Sequence, residues 1–268
     1  MNVVIYQESG EKSVCESELI EDRSLDQNGI LRGRIEEAKF YIYHPNNPTT
    51  DVIFIFPGGG YSKLSMIKEG MDIAVDLCNR GAMSVVVQYP IYYGDYQRML
   101  SQFYALQSKL FYDPLYRGIE QKNLHIIGFS AGGHFASMVA HHVGRAYGFG
   151  SLCYSTLGIC YSVVSLSDTC RDVGCTKALL GESFDAEQAR NISVEYLVGP
   201  KTPRSFVMYT EDDRRILPEN SKRYITSLKE NDIDHMVKVF EVGGHGFGLG
   251  YSDSLKWVDG YWQWINIL

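Results

Sequence analysis

Ser130 is the residue in this chain whose setting best suits covalent chemistry. It lies in Gly128-Phe129-Ser130-Ala131-Gly132, a lone serine between small residues. A serine on a sharp strand-to-helix turn has strained backbone geometry, and only neighbours with little side chain leave its hydroxyl exposed above a sheet. Asn123 to Ile127 before it is short, apolar and partly β-branched, and Ala136 to His142 after it contains alanine and no proline. Strand, turn and helix therefore come in the order a nucleophile elbow needs, with the helix N-terminus adding partial positive charge where an anion would develop.

A neutral serine is a poor nucleophile and requires a base, an acid to orient the base, and donors for an oxyanion. Pro57-Gly58-Gly59-Gly60-Tyr61 follows an apolar run ending at Phe56, and its glycines let backbone N–H groups turn inward. Together with the Ala131 N–H they suit an oxyanion hole. The loop lacks both the Lys-Ser/Thr of a phosphate-binding loop and the G-x-G-x-x-G spacing of a dinucleotide fold. His245, in Val242-Gly243-Gly244-His245-Gly246-Phe247, is the candidate base, because flanking glycines let its ring project from a loop beyond the last strand. His134, just past the elbow, is placed for support or substrate contact, and His44, His125, His141, His142 and His235 read as structural. The acid belongs after the strand Ser205 to Tyr209, where Glu211, Asp212 and Asp213 compete. The chain order serine, acid, histidine is that of the α/β-hydrolase triad.

The elements that must hold these residues alternate along the chain. Asp51 to Phe56 and Ala82 to Gln88 are near-continuous apolar runs, as in strands buried on both faces of a parallel sheet. Met71, Ala74, Val75 and Cys78 recur between them at helical spacing, with Gly81 as a stop. Met99, Phe103, Leu106 and Leu110 mark a second helix. Further strands are expected at Tyr161 to Ser165, Ser205 to Tyr209 and Val237 to Val242, with Pro218 in the first turn of a helix running through Tyr224 and Leu228. Ala38 to Tyr43 reads as an earlier strand at the sheet edge. Trp257, Trp262 and Trp264 read as a terminal helix docked on the sheet. The expectation is a single domain over residues 1–268, an α/β fold with a mostly parallel sheet and helices on both faces. Residues 144–181, rich in Gly, Tyr and Cys, read as a connection carrying one central strand and as a partial cover over the site.

Composition narrows the function classes. The chain has 268 residues, is 45% hydrophobic and carries a formal charge of -7, which argues against nucleic-acid binding. No stretch approaches the about 20 apolar residues of a membrane span, and Met1 to Gly10 lacks a signal-peptide pattern, so the expectation is a cytoplasmic protein with no membrane partner. Cys15, Cys78, Cys153, Cys160, Cys170 and Cys175 show no metal-ligand spacing. They read as free thiols, with a Cys170–Cys175 pair left open.

The motifs together resemble a known family. PGGGY from Pro57, EG at Glu69, GFSAGGH from Gly128, LLGE from Leu179, TEDD and PENS between Thr210 and Ser221, and GGHGFGL from Gly243 are similar to α/β-hydrolase esterases of the acetyl-xylan-esterase and BD-FAE-like group, related to the hormone-sensitive-lipase and carboxylesterase families. The resemblance implies Ser130 as nucleophile, His245 as base and Asp213 as acid, with Gly59, Gly60 and Ala131 as the oxyanion hole. The chain departs from the family at Tyr89-Pro90, where Tyr-Arg is common, and at Gln102, where an Asp is common. These are supporting positions that bear on the acyl-pocket wall.

The implied activity is two-step acyl transfer on short acyl groups, acetyl esters of sugars or oligosaccharides in particular, with neither metal nor cofactor required. An amide hydrolase, such as an arylformamidase or peptidase, would use the same triad, and a ligand-binding protein on a retired hydrolase fold is the non-enzymatic alternative. Tyr61 and His134 are the expected substrate contacts, with Tyr92 and Tyr93 also able to stack on a sugar ring. The expected partner is a small-molecule ester, and a homodimer is an expected assembly.

Overall fold

A computed structural model describes residues 2–7, 12–16, 25–47, 49–116, 118–119, 123–142, 153–250 and 252–267. The chain opens with strands β1 (Asn2–Gln7), β2 (Lys12–Glu16), β3 (Ile30–Leu31), β4 (Lys39–His44), β5 (Asp51–Phe56) and β6 (Leu64–Ser65). A π-helical turn over Ile67–Met71 leads into α1 (Asp72–Asn79), β7 (Met83–Gln88) and α2 (Tyr96–Tyr112). Then come β8 (Asn123–Phe129), α3 (Ala131–His142), β9 (Thr156–Cys160), α4 (Val173–Leu180) and α5 (Ala186–Asn191). The chain closes with β10 (Arg204–Thr210), α6 (Glu219–Glu230), β11 (His235–Phe240) and α7 (Val258–Ile265).

The main sheet among the described residues has nine strands in the order β11-β10-β9-β8-β5-β7-β4-β1-β2. From β7 to β11 every neighbour is parallel, whereas β4, β1 and β2 add on antiparallel. The inner parallel strands are buried on both faces, which is why Val52 to Phe56 is apolar without alternation and has no solvent exposure, whereas the edge strand β11 is partly exposed. The register sets Phe56 opposite Gly128 and Phe129 opposite Cys160, so the ends of β5, β8 and β9 meet at the elbow. Beneath it, Phe56, Phe103, Phe135 and Tyr89 interlock with ring centroids 4.8–6.5 Å apart. Such pairs stabilise by about 0.5–1.5 kcal/mol each beyond area burial. Among the described residues no helix is long and apolar enough to cross a membrane.

Four expectations are corrected. The strand expected at Tyr161 to Ser165 lies earlier, at Thr156–Cys160. Both stretches are buried, but Tyr161 turns to φ 37°, and the N–H groups of Val164 and Ser165 go to Asn220 Oδ1 instead of a ladder. The helix after the elbow begins at Ala131, because Gly132 and Gly133 are helical despite their low propensity. Ala38 to Tyr43 does not form the edge, since β1 and β2 pair beyond β4. The last strand ends at Phe240, where β10, its parallel partner, ends at Thr210; Val242 is exposed.

The cover expected over 144–181 falls partly on residues 144–152, which lie outside the described residues. The described remainder carries the central strand β9 and the helix α4, which Asp172 caps by accepting from Cys175 N–H. Cys170 and Cys175 are both free thiols. The tryptophans divide: Trp257 and Trp264 pack on Phe206 of β10, while Trp262 is half-buried on α7.

Candidate active site

Ser130 joins β8 to α3 at φ 52°, the left-handed region that costs a non-glycine residue on the order of 1–3 kcal/mol. Crowding accounts for its small neighbours. A Cβ on Gly128 would lie 2.4 Å from the Gly132 carbonyl oxygen, and one on Gly132 would lie 2.3 Å from the carbonyl oxygens of Phe56 and Pro57. The turn is held by Ser130 N–H donating to the Cys160 carbonyl at 3.0 Å, while the Ser130 carbonyl accepts from Gly133 N–H at 3.1 Å.

Ser130 Oγ lies 2.9 Å from His245 Nε2, and His245 Nδ1 lies 2.7 Å from Asp213 Oδ2. An ionised carboxylate only accepts, so Nδ1 carries the proton and Nε2 is left to accept from the Ser130 hydroxyl. Asp213 is buried, and its other oxygen accepts from the N–H groups of Arg215 (2.8 Å) and Ile216 (2.9 Å). The three competing carboxylates thus separate. Glu211 forms an exposed ion pair with Lys222 at 2.8 Å. Asp212 accepts from Gly243 N–H at 3.0 Å and Gly244 N–H at 2.8 Å, and these bonds, that from Gly244 foremost, hold its carboxyl below the usual range. Only Asp213 reaches the imidazole.

The loop Pro57 to Tyr61 follows β5 beside the elbow, with φ 144° at Gly59 and 65° at Gly60. Its first turn is braced by Gly58 N–H donating to Glu69 Oε2 at 3.0 Å and by the Tyr89 hydroxyl donating to the Pro57 carbonyl at 2.8 Å. Among the described residues the N–H groups of Gly59, Gly60 and Ala131 donate to no acceptor, the state needed to receive an oxyanion.

Tyr61 and His134, the expected substrate contacts, are instead turned toward each other in the interior. The Tyr61 hydroxyl donates to His134 Nδ1 at 2.7 Å, and His134 Nε2–H donates to the Ile192 carbonyl at 2.7 Å. Both side chains are buried with their polar atoms satisfied, so neither offers a group to a ligand. Burial lowers the His134 pKa to about 4, which keeps the ring neutral. Tyr92 donates to the Glu36 carbonyl, and Tyr93 is well exposed and bonded to Glu182. Of the remaining histidines, His125 bonds Thr156 and Asp51, and His141 bonds Thr202 and the Ser137 carbonyl.

Sequence reasoning had Asp212 only as a rival acid, Glu69 only within a motif, Tyr161 within a strand and Trp257 on a terminal helix, and missed the part each takes in holding the site. Glu69 is buried on the π-helical turn, and its Oε1 accepts from the Tyr161 hydroxyl at 3.0 Å. Tyr161 in turn accepts from Gly248 N–H at 3.1 Å and packs edge-on against the His245 ring, with centroids 5.1 Å apart. Trp257 Nε1–H donates to the Gly248 carbonyl at 2.8 Å, fixing the far end of the histidine loop. The only signal available in the sequence was the Glu-Gly pair soon after the glycine loop.

A strained serine between a parallel strand and a helix, with an acid and then a histidine converging on it from later loops, is the arrangement of the α/β-hydrolase class. Residues 116–267 match the prolyl oligopeptidase family, Peptidase_S9, and the chain belongs to that family. An acetylxylan esterase of Xylanibacter ruminicola is 25% identical over 84% of this chain and 48% of its own length. An endo-1,4-beta-xylanase B of Butyrivibrio fibrisolvens is 27% identical over 82% of this chain and 36% of its own. The chain therefore spans about half or less of the curated relatives it matches. Among solved structures, the acetyl ester-xyloside bifunctional hydrolase of Caldicellulosiruptor lactoaceticus superposes with a TM-score of 0.73 at 26% identity, covering 85% of this chain and 86% of that one. The carboxylesterase Cest-2923 of Lactobacillus plantarum shares the fold, with a TM-score of 0.67 at 20% identity over 88% of this chain and 93% of its own. These relatives agree with the esterase resemblance in the motifs.

Proposed function

We propose that the protein is a serine carboxylesterase that hydrolyses short-chain acyl esters, acetyl esters of sugars or oligosaccharides in particular. The observation that carries this reading is the unbroken chain from Ser130 Oγ to His245 Nε2 at 2.9 Å and from His245 Nδ1 to Asp213 Oδ2 at 2.7 Å. His245 Nε2 takes the Ser130 proton as Oγ attacks the ester carbonyl, while buried Asp213 holds the imidazole in the right tautomer and balances its charge. The negative oxygen of the tetrahedral intermediate lies against the N–H groups of Gly59, Gly60 and Ala131. Collapse expels the alcohol with the proton from Nε2, and water activated by the same nitrogen then releases the acid. The acetyl and sugar preferences rest on the names of the relatives, an acetylxylan esterase and an acetyl ester-xyloside hydrolase. Helix α4, whose Cys175 lies near Tyr61, is proposed as the part of 144–181 that borders the site.

The test is turnover of p-nitrophenyl acetate by the protein and by Ser130→Ala. Loss of turnover in the variant supports the reading, and equal turnover by both sinks it. The family's name favours a second reading, hydrolysis of amides by the same triad. Cleavage of an acetyl anilide or a peptide in preference to the matching ester would select it. Ligand binding with no labelling of Ser130 by a fluorophosphonate would instead mark a non-catalytic binding protein.

A further inference from the structure

The carboxylate of Glu69 stands beneath the site with only 4% of its surface exposed, and the triad does not use it. Burying an ionisable group costs several kcal/mol unless its lone pairs are taken up. Here one donor comes from each side of the site: Gly58 N–H bonds Oε2 at 3.0 Å and the Tyr161 hydroxyl bonds Oε1 at 3.0 Å. The first donor belongs to the glycine loop proposed above to hold the oxyanion. The second accepts from Gly248 N–H at 3.1 Å, three residues past His245.

We propose that Glu69 is a positioning residue of the acyl-transfer site, which clamps the oxyanion loop to the histidine loop through Tyr161. The proposal rests on the esterase reading above.

Three further observations point the same way. A Cβ added to Gly58 would lie 2.7 Å from Glu69 Oε2 and 2.9 Å from Ser130 Cβ, and one on Gly246 would lie 3.6 Å from Oε1. The carboxylate thus fills the space under the serine, the glycine loop and the histidine loop at once. Glu69 also sits on a π-helical turn, Ile67–Met71, a departure from regular helix that recurs at functional sites. Tyr161 holds φ 37°, strain that the surrounding contacts with Glu69, Gly248, His245 and Phe247 must maintain. Besides the bonded Tyr161 hydroxyl, Tyr89, Cys160, Lys68 and His245 interact electrostatically with the carboxylate. Burial pushes Glu69 up, while the Tyr161 hydroxyl, His245 and Gly58 N–H pull it back toward the charged form.

A carboxylate accepts from both donors, whereas a glutamine of the same shape has one acceptor oxygen and turns its NH2 toward the other donor. Glu69→Gln therefore releases one loop and leaves the volume intact. The expected result is a fall in kcat on p-nitrophenyl acetate on the order of tenfold to a hundredfold with KM within about twofold, because the clamp serves the transition state more than substrate binding. Tyr161→Phe keeps the ring against His245 and breaks the same link, so kcat should fall in the same direction. The double variant should lose no more than the worse single one, since the two act as one unit. Thermal unfolding is followed in parallel at an assay temperature well below the transition.

An unchanged kcat in a folded Glu69→Gln, or in Tyr161→Phe should Glu69→Gln not fold, overturns the proposal. So does a rise in KM at constant kcat, or a loss of thermal stability with full activity below the transition. Failure of the esterase reading is distinguished by the unmodified protein, which would then not turn over p-nitrophenyl acetate.

Discussion

Asp212 and Asp213, adjacent in the chain, grip the same histidine loop at two points: Asp212 Oδ1 accepts from the Gly243 and Gly244 N–H groups, and Asp213 Oδ2 accepts from His245 Nδ1. Both lie in the turn that follows β10, where Asp213 N–H donates to the Thr210 carbonyl at 3.5 Å, and the turn sends one carboxylate to backbone and the other to the ring. The Thr210 hydroxyl adds a third point, donating to the Gly244 carbonyl at 2.9 Å.

Alanine at each of the three acids should therefore give graded effects. Asp213→Ala should lower kcat on p-nitrophenyl acetate by on the order of ten-thousandfold, as for loss of a triad acid. Asp212→Ala should cost roughly tenfold, because only the loop's anchorage is lost. Glu211→Ala, which breaks an exposed pair, should stay within about twofold. Equal losses at Asp212 and Asp213 would contradict the division of labour.

Gly59 should tolerate no side chain. A Cβ there would lie 1.9 Å from the Lys63 carbonyl oxygen, and the loop would have to swing away from the serine. Losing one oxyanion donor typically lowers the rate on the order of a hundredfold or more, so Gly59→Ala should fall by at least that in kcat. At Gly60 an added Cβ meets open space, and the penalty is the φ of 65° alone, about 1–2 kcal/mol of stability. Steady-state kinetics and thermal unfolding of the two variants separate the cases.

Stability should decline on acidification because of His134. Its folded pKa, about 4, lies below the ordinary 6.5, so between those values the unfolded chain binds a proton that the folded protein refuses. The contribution is complete above about pH 6.5 and lost as pH falls to about 4. At ~1.4 kcal/mol per pH unit it is worth on the order of 3 kcal/mol. Urea unfolding across this range should show the slope, and His134→Gln should flatten it.

Trp257→Phe should destabilise the protein by about 1–3 kcal/mol, since the buried Gly248 carbonyl loses its donor. The same change frees the distal end of the histidine loop, so kcat should fall several-fold with KM little altered. An equilibrium unfolding curve together with initial rates tests both parts.

The sequence alone determined the frame of this protein. Apolar runs such as Asp51–Phe56 can be satisfied only inside a sheet covered on both faces, and the glycines around Ser130 and His245 mark places where backbone must crowd or turn. These are local demands of chain geometry and survive reading in one dimension. Tyr161 to Ser165 misled as a strand because burial makes any short segment apolar, whether or not it joins a ladder.

What only the tertiary structure decided is the pairing of groups far apart in the chain. Three carboxylates in a row are equivalent by composition; the family resemblance pointed to Asp213, and the fold is what carries that one to His245, 32 residues on. His134 and Tyr61, polar residues beside the catalytic motifs, were drawn inward because each satisfies the other across 73 residues. Glu69 is one letter of a Glu-Gly motif in the sequence, and only the fold brings it Gly58 and Tyr161, the latter 92 residues away, whose donors offset its burial. A hydrogen bond depends on distance and direction in space, and the order of residues along a chain specifies neither until the sheet has closed.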